Sequence, residues 1–133
     1  MKQQKLGTNM KEIDCIESSV VKVAMGTVLR ILEKWSCNQH QVQAVLKLPE
    51  NYSELDFEQV NFSLEQVERV SYILNIHASL STLFSNPENV YGFMNMVNLN
   101  KPFNGTRPID FICNSDTERF KILFVHIEQL FNR

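Results

Sequence analysis

The chain has 133 residues, of which 44% are hydrophobic, so it is long and apolar enough for one compact unit with a core. Its formal net charge is −2 and neither half is strongly charged, which gives no sign of a basic nucleic-acid-binding tail or a membrane-surface segment. Three separated cysteines, Cys15, Cys37 and Cys113, form no CxxC pattern and argue against a disulfide framework or a zinc site. No run approaches the roughly 18 apolar residues of a membrane helix, and the opening lysines precede no apolar stretch. We therefore expect a cytoplasmic protein with no membrane partner.

The first predicted element is a helix that follows a polar segment. Residues 1–12 are polar and are expected to form a loose arm. Between residues 13 and 35 apolar side chains recur at helical spacing, and Gly26 leaves open whether this stretch is one helix or two. Trp35 is interpreted as a core anchor at its end. The apolar face consists of Ile16, Val20, Val23, Ala24, Val28, Ile31, Leu32 and Trp35.

A second, short helix is predicted after Asn38, whose side chain is a good N-cap. Pro49 is expected to end it. Residues 50–61 are polar and irregular, with at most a short helix around residues 52–57.

The longest predicted helix begins at Ser63, which forms a capping-box pattern with Gln66, and its apolar face extends to residue 84. Asn86 and Pro87 then have the pattern of an N-cap and a first helical position. The helix that they open is expected to run through Val97 and to include Met94 and Met96.

A polar loop over residues 98–106 precedes the last two predicted helices. Pro108 is expected to begin a short helix with Asp110 in its first turn, and Ser115 or Asp116 is expected to cap the final helix. No stretch alternates with a period of two residues for long enough to indicate a strand. The sequence thus predicts an all-α fold of about six helices.

Catalytic and metal-binding patterns are missing from the sequence. There is no GxGxxG, P-loop, HExxH or GxSxG motif, and His40, His77 and His126 have no metal-ligand spacing. We expect no catalytic residue, metal or cofactor. His77 lies on an apolar helix face, and we interpret it as a half-buried ring with a hydrogen-bonded tip. The cysteines are interpreted as small hydrophobic residues.

The order of several short motifs resembles the toxin-binding domain of the Xre/MbcA/ParS antitoxins. The family's motifs are an LF pair, a Pro followed by an acidic residue, a Trp-Leu pair, a Pro-Asn loop and a Gly-x-x-Pro-Leu-Asp segment. Departures are Phe93 in place of the usual Trp, Val97 where Pro is frequent, and a loop about two residues longer than usual. The matching residues here are Leu83-Phe84, Asn86-Pro87-Glu88, Phe93-Met94 and Phe103-Asn104-Gly105-Thr106-Arg107-Pro108-Ile109-Asp110.

Two upstream stretches extend this resemblance, which covers residues 25–131 in all. Residues 29–35, LRILEKW, resemble the helix that opens the family's helix-turn-helix, and residues 64–74 resemble its linking helix. The resemblance implies a degenerate helix-turn-helix-like domain over residues 13–62 and a toxin-binding domain over residues 63–133.

The resemblance implies that the protein is an antitoxin, which binds a RES-domain toxin and covers the entrance of the toxin's active site. The toxin consumes NAD, so the antitoxin itself needs no cofactor and has no small-molecule substrate. The candidate toxin-binding residues are Asn98, Asn100, Lys101, Arg107 and Arg133. Among them Arg107 is the leading candidate, because an exposed guanidinium offers five donors in a rigid fork. A purely geometric role for the loop, in which Asn and Gly only satisfy the turn, remains the alternative.

Two other functional classes compete with the antitoxin, a DNA-binding regulator and a small enzyme. The enzyme lacks a motif, and DNA binding is expected to be weak or absent, since residues 49–61 contain four acidic residues and no Lys or Arg. Lys2, Lys5 and Lys11 in the arm are the argument for retained DNA binding.

A homodimer is also predicted, because the apolar face of residues 16–35 exceeds what a short helical hairpin covers. The alternative is that the second half of the same chain buries this face.

Overall fold

The protein is described by a computed structural model, which covers residues 18–131. The predicted arm, Cys15, Ile16 and Arg133 lie outside these described residues. Between residues 18 and 131 there is no strand, only one isolated bridge between Asn98 and Thr106, so the prediction of an all-α fold of about six helices is confirmed. The helices are α1 (Ser18–Lys34), α2 (Gln39–Leu46), α3 (Leu64–Leu83), α4 (Pro87–Gly92), α5 (Pro108–Ile112) and α6 (Glu118–Leu130).

Helix α1 is continuous through Gly26, so the stretch forms one helix and not two. It ends where Ser36 adopts a left-handed backbone conformation with φ of 63°. Trp35 is fully buried, which confirms its interpretation as a core anchor.

Local capping determines where α2 and α3 begin. The Asn38 side chain accepts a hydrogen bond from the Gln41 amide at 2.8 Å, and Ser63 accepts one from the Gln66 amide at 3.0 Å, so both predicted caps are confirmed. Gln66 has a second role, because its Nε2 donates to the carbonyls of Leu46 and Lys47 at 3.2 and 2.9 Å. One side chain thereby joins the start of α3 to the end of α2.

The chain between α2 and α3 contains two single-turn 3-10 helices, Tyr52–Glu54 and Phe57–Gln59. This agrees with the prediction of an irregular segment over residues 50–61. Its aromatic side chains are half-buried against the core, and the remainder of the segment is mostly exposed.

The fourth helix is shorter than the sequence predicts. Asn86 caps it and Pro87 begins it as expected, but α4 ends at Gly92 and is followed by a 3-10 turn, Phe93–Asn95. Met96 and Val97 lie beyond both helices, so their assignment to a helix is wrong. The reason is tertiary: the Asn95 side chain donates to the Trp35 carbonyl and accepts from Arg107, which fixes residue 95 away from a continued helix.

The start of the last helix lies two to three residues beyond the predicted caps. Helix α6 begins at Glu118, and Thr117 occupies the cap position without a capping side-chain bond. Asp116 still contributes, because its Oδ1 accepts a hydrogen bond from the Glu118 amide at 3.0 Å. Pro108 begins α5 as predicted, with Asp110 in the first turn.

Helix α3 is the centre of the molecule and packs against α1, α2, α4 and α6. Helix α1 buries Val21, Met25, Val28, Ile31 and Leu32 within the same chain. The predicted apolar face is wrong at Val20 and Val23, which are 46% and 77% exposed. The remaining surface of α1 therefore offers little apolar area to a second copy. One buried cluster includes core residues from both sides of residue 62, among them Val28, Leu32, Trp35, Val45, Val70, Ile73, Leu80, Ile109, Phe120, Leu123 and Ile127.

A buried arginine, Arg69 of α3, lies in this core with no exposed surface. Its Nη1 donates to the carbonyls of Ala44 and Val45 at 3.2 and 3.1 Å, at the end of α2. Its Nη2 donates to the Asn114 carbonyl at 3.0 Å, and its Nε donates to Thr117 Oγ1 at 3.0 Å. The guanidinium therefore joins α2, α3 and the turn between α5 and α6.

The charge of Arg69 is compensated in part by Glu65, whose Oε2 lies 3.7 Å from Nη2. The hydrogen bond from Thr117, together with Lys47 and Arg69, lowers the pKa of Glu65. The guanidinium also stacks over Phe120, 4.7 Å from the ring centroid. Because burying a charge is costly unless its hydrogen bonds are satisfied, the buried guanidinium favours the arrangement in which these three segments meet.

We expect Arg69→Met to lower the free energy of unfolding by about 3–5 kcal/mol, because it leaves buried carbonyls without donors. Arg119→Met is the matched control: Arg119 also lies 4.7 Å over a phenylalanine, Phe111, but it donates one hydrogen bond, to the Phe111 carbonyl, and is only half-buried. We expect that variant to lose about 1 kcal/mol. Urea unfolding measures both, and equal losses would contradict a special role for Arg69.

Candidate functional site

The loop over residues 98–107 lies between the α4 region and α5 and is closed by hydrogen bonds within its own backbone. The Asn98 amide donates to the Thr106 carbonyl at 3.0 Å, and the Gly105 amide donates to the Asn98 carbonyl at 2.8 Å. Asn104 and Gly105 have φ values of 51° and 97°, the left-handed region that Asn and Gly adopt most easily. The geometric role expected of this Asn-Gly pair is thus present, and the loop is a closed, ordered structure.

Phe103 anchors this loop to the helices beneath it. The side chain is 2% exposed and lies edge-on to Phe111 of α5 and His126 of α6, at centroid distances of 5.3 and 5.1 Å. The amides of Phe103 and Asn104 both donate to the Asn100 carbonyl, at 2.9 and 3.0 Å. The loop therefore presents its outer side chains on a fixed support.

Three of the predicted toxin-binding residues lie at the start of the loop. Asn98 is half-buried, and its Oδ1 accepts a hydrogen bond from the Asn100 amide at 2.9 Å, so it supports the loop from within. The side chains of Asn100 and Lys101 are exposed and have no hydrogen-bond or ion-pair partner among residues 18–131. These two are the side chains that the loop leaves available.

Arg107, at the other end of the loop, is engaged within the chain. Its Nε and Nη2 donate to the two oxygens of Asp110 at 2.8 and 3.1 Å, and its Nη1 donates to Asn95 Oδ1 at 3.3 Å. The paired carboxylate raises the pKa of Arg107. The side chain is still 40% exposed, so two of the five donors remain for a partner. The structure brings Asn98, Asn100 and Lys101 together, whereas Arg107 lies within its own network.

Three exposed apolar side chains lie close together at the start of the loop. Met96 and Val97 are each 61% exposed and Leu99 is 81% exposed, within four consecutive residues. Clustered exposure of this kind in a small protein often marks an interaction surface. Sequence reasoning missed it, because Met96 and Val97 were assigned to a helix. Gly92, at which α4 ends, is the residue of the sequence that could have indicated the earlier end of that helix.

A groove of about 380 Å³ lies between the loop and α6. Its apolar lining comes from Pro102, Ile122 and Val125, and Lys101 and Lys121 also line it. The other lining residues are Glu118, His126 and Gln129. Met96, Val97, Leu99 and this groove thus provide apolar surface at the loop, which also presents the exposed cation Lys101.

The segment where the recognition helix of a helix-turn-helix would lie, residues 49–61, has a different character. It contains the two 3-10 turns described above instead of a helix that could enter a groove of DNA. Glu50, Glu54, Asp56 and Glu58 are all exposed on it. Lys22 of α1 donates to the Glu58 carbonyl at 2.9 Å. This surface is therefore negatively charged, and the phosphates of DNA would be repelled by it.

Two further kinds of side chain bear on the chemistry of the chain, the cysteine thiols and the potential metal ligands. Burial raises the pKa of Cys37 to about 12 and that of Cys113 to about 11, so both thiols are neutral near pH 7. Among residues 18–131 no three His, Cys, Asp or Glu side chains are placed to hold a metal ion. In the same part of the chain, no helix combines the length and apolar character needed to cross a bilayer.

His77 differs from its sequence interpretation in one respect. The ring is half-buried as expected and stacks on Tyr91 at a centroid distance of 5.6 Å, with Lys34 Nζ 5.4 Å from the Tyr91 centroid. Its buried Nδ1, however, has no hydrogen-bond partner within residues 18–131, so the expected hydrogen-bonded tip is not found at that atom.

No protein-family model, curated protein or solved structure matches this chain. The likeness to the antitoxin family therefore consists of the short motifs and their order.

His77 predicts how stability depends on pH. Burial lowers the pKa of His77 below its ordinary value of 6.5, so the unfolded chain binds this proton more tightly than the folded chain. The contribution to stability is complete above pH 6.5 and is lost as the pH falls through the lowered pKa. We expect His77→Phe, which keeps an aromatic ring on Tyr91, to lose less stability than the wild type between pH 7.5 and 5. Chemical unfolding across this range measures the difference.

The control for this comparison is His40→Gln, which removes an exposed histidine of α2. We expect this variant to follow the wild-type dependence on pH. Parallel curves for His77→Phe and the wild type would show that His77 does not contribute.

Proposed function

We propose that the chain is the antitoxin of a type II toxin–antitoxin pair, and that it neutralises a RES-type, NAD-consuming toxin by covering the entrance of its active site. The observation that carries the proposal is the 98–107 loop, which is fixed by its own hydrogen bonds and by buried Phe103 yet presents Asn100 and Lys101 without partners. It lies within the motifs that resemble the family's toxin-binding segment.

A fixed loop favours binding to a protein because little conformational entropy is lost when the complex forms. The exposed side chains of Met96, Val97 and Leu99 supply apolar area, and such area contributes roughly 25 cal/mol per Å² when it is buried. Asn100 and Lys101 at the edge of this area then give direction and specificity. An apolar centre with a polar rim is the usual composition of a protein interface.

The partners follow from the same proposal. The NAD chemistry belongs to the toxin, so the antitoxin needs no cofactor and no small-molecule substrate, and it acts in the cytoplasm where NAD is found. Homodimer formation stays a prediction, for which α1 supplies only Val20 and Val23 as exposed apolar side chains. Light scattering at micromolar concentration distinguishes a dimer from a 15.5 kDa monomer.

A DNA-binding autorepressor is the second candidate. The observation in its favour is the order of α1 and α2, with Asn38 capping a short second helix, as a helix-turn-helix-like half requires. The acidic exposed segment after α2 opposes it, because a recognition surface needs Lys and Arg for phosphates and base edges.

The antitoxin proposal is tested by co-expression with the product of the adjacent gene. We expect the wild-type chain to restore growth and NAD levels, and the purified proteins to form a complex. Lys101→Glu places a carboxylate on the loop and should weaken binding roughly tenfold, which corresponds to about 1.4 kcal/mol. Calorimetry with the purified toxin measures this change.

The matched control is Arg30→Glu, which makes the same change of charge at an exposed position of α1. We expect it to bind the toxin as the wild type does. Failure of the wild-type chain to bind or to protect cells would rule out the antitoxin function. Equal losses for Lys101→Glu and Arg30→Glu would place the interface elsewhere.

DNA binding is expected to be weak. In an anisotropy titration against the promoter fragment of its own operon, with and without toxin, we expect no saturable binding below about 10⁻⁸ M, the range typical of specific complexes. Because the wild-type segment repels phosphates, replacing Glu54, Asp56 and Glu58 by their amides should strengthen nonspecific binding at low salt. Tight binding by the wild type would establish the autorepressor alternative.

A further inference from the structure

The short extended segment at the start of the loop has one paired and one unpaired backbone edge. The amide and the carbonyl of Asn98 both bond across the loop, to Thr106 and Gly105. Backbone groups alternate in direction along extended chain, so those of Val97 and Leu99 point away from this bridge. No residue within 18–131 forms a hydrogen bond with the amides or carbonyls of Val97 and Leu99. Two donors and two acceptors are therefore presented together on one edge.

The side chains of this segment alternate in the same way. Val97 and Leu99 are two residues apart and share one face, where they are 61% and 81% exposed. Asn98 between them is half-buried and is occupied by its bond to the Asn100 amide. The unpaired edge consequently carries two apolar side chains that lie ready to contact a neighbouring strand.

We propose that residues 97–99 are a strand edge to which the toxin adds an extended segment of its own. The added strand forms backbone hydrogen bonds with Val97 and Leu99 and packs β-branched or other apolar side chains on theirs. This inference rests on the proposed antitoxin function and specifies how the partner is held.

An extended strand is the occupant whose chemistry matches this edge. The donors and acceptors of Val97 and Leu99 repeat at about 6.6 Å, twice the rise per residue of a strand, and an extended chain presents its own groups at the same spacing. A helix uses its amides and carbonyls internally and would leave all four groups of this edge buried without partners. In the free protein, water satisfies these groups.

The edge is also ordered in the free protein, before the toxin binds. Both backbone groups of Asn98 are engaged on the opposite side, and Phe103 anchors the loop that supplies them. A single short segment of this kind adds a strand without rearrangement of the chain, and its shortness limits pairing between free copies.

The first experiment compares Leu99→Pro with Leu99→Ala in binding to the purified toxin encoded beside this chain's gene. Both variants replace the leucine side chain by a smaller one, and only proline also removes the amide donor. We expect Leu99→Ala to bind about fivefold more weakly than the wild type and Leu99→Pro to bind at least tenfold more weakly than Leu99→Ala. The Leu99 amide has no partner within the described chain, so its loss breaks no internal hydrogen bond.

The second experiment is amide hydrogen exchange on the wild-type chain, which is informative even if Leu99→Pro fails to fold. We expect the amides of Val97 and Leu99 to exchange rapidly in the free chain and slowly in the complex. The Asn98 amide, which is already bonded to Thr106, should be protected in both. This alternation along the segment is specific to an added strand, because general burial would protect all three amides.

Each outcome decides the proposal. If the toxin binds and the two Leu99 variants bind it equally, with Val97 and Leu99 amides still exchanging rapidly in the complex, the strand edge is wrong and the antitoxin function stands. If the wild type does not bind the toxin, the function fails and this inference with it. Protection of these amides in a dimer of the free chain would make a second copy the occupant and would also overturn the proposal.

Discussion

The Arg69 guanidinium is buried among groups from three segments, and the positions of those segments depend on it. It donates to the end of α2 and to the turn before α6, while its own backbone belongs to α3. A buried cation without these acceptors would be strongly unfavourable, so the hydrogen bonds hold the first and second halves of the chain in one arrangement. Gln66 adds a further link between α2 and α3. The two halves that the sequence distinguishes are in this way joined through polar contacts as well as through the apolar core.

The candidate binding loop depends on Arg69 indirectly, through the helices that support the loop. Phe103 rests on Phe111 and His126, and the helices that carry these rings, α5 and α6, are joined by the turn that Arg69 binds. On the other side, Asn95 and Arg107 connect the loop to the end of α1. The loop is consequently supported at both ends by the body of the protein, and its outer surface combines apolar area with unpaired polar side chains. The same property makes it suited to bind a protein and to present a backbone edge without rearrangement.

Local interactions were predictable from the sequence, and distant ones were not. The caps at Asn38, Ser63 and Asn86 involve bonds to residues three positions away, so the residue types alone indicate them. Arg69 follows Glu68 in a charged stretch typical of a solvated helix face, yet its hydrogen-bond partners lie 24 to 48 residues away. The early end of α4 has the same origin, since Asn95 is fixed by Trp35, 60 residues away. The candidate loop was found from its motifs, whereas the exposure of Met96, Val97 and Leu99 depends on that unpredicted helix end.

The central claim is that the 98–107 loop is ordered in the free protein because the core holds it, and native-state amide exchange tests this most directly. In the free wild-type chain, the amides of Asn98, Phe103 and Gly105 should exchange with opening free energies close to those of the neighbouring helices α5 and α6. In the Arg69→Met variant, the loop and these helices should become less protected together. Exchange of the three loop amides at the rate of an unstructured peptide in the wild type would contradict the account.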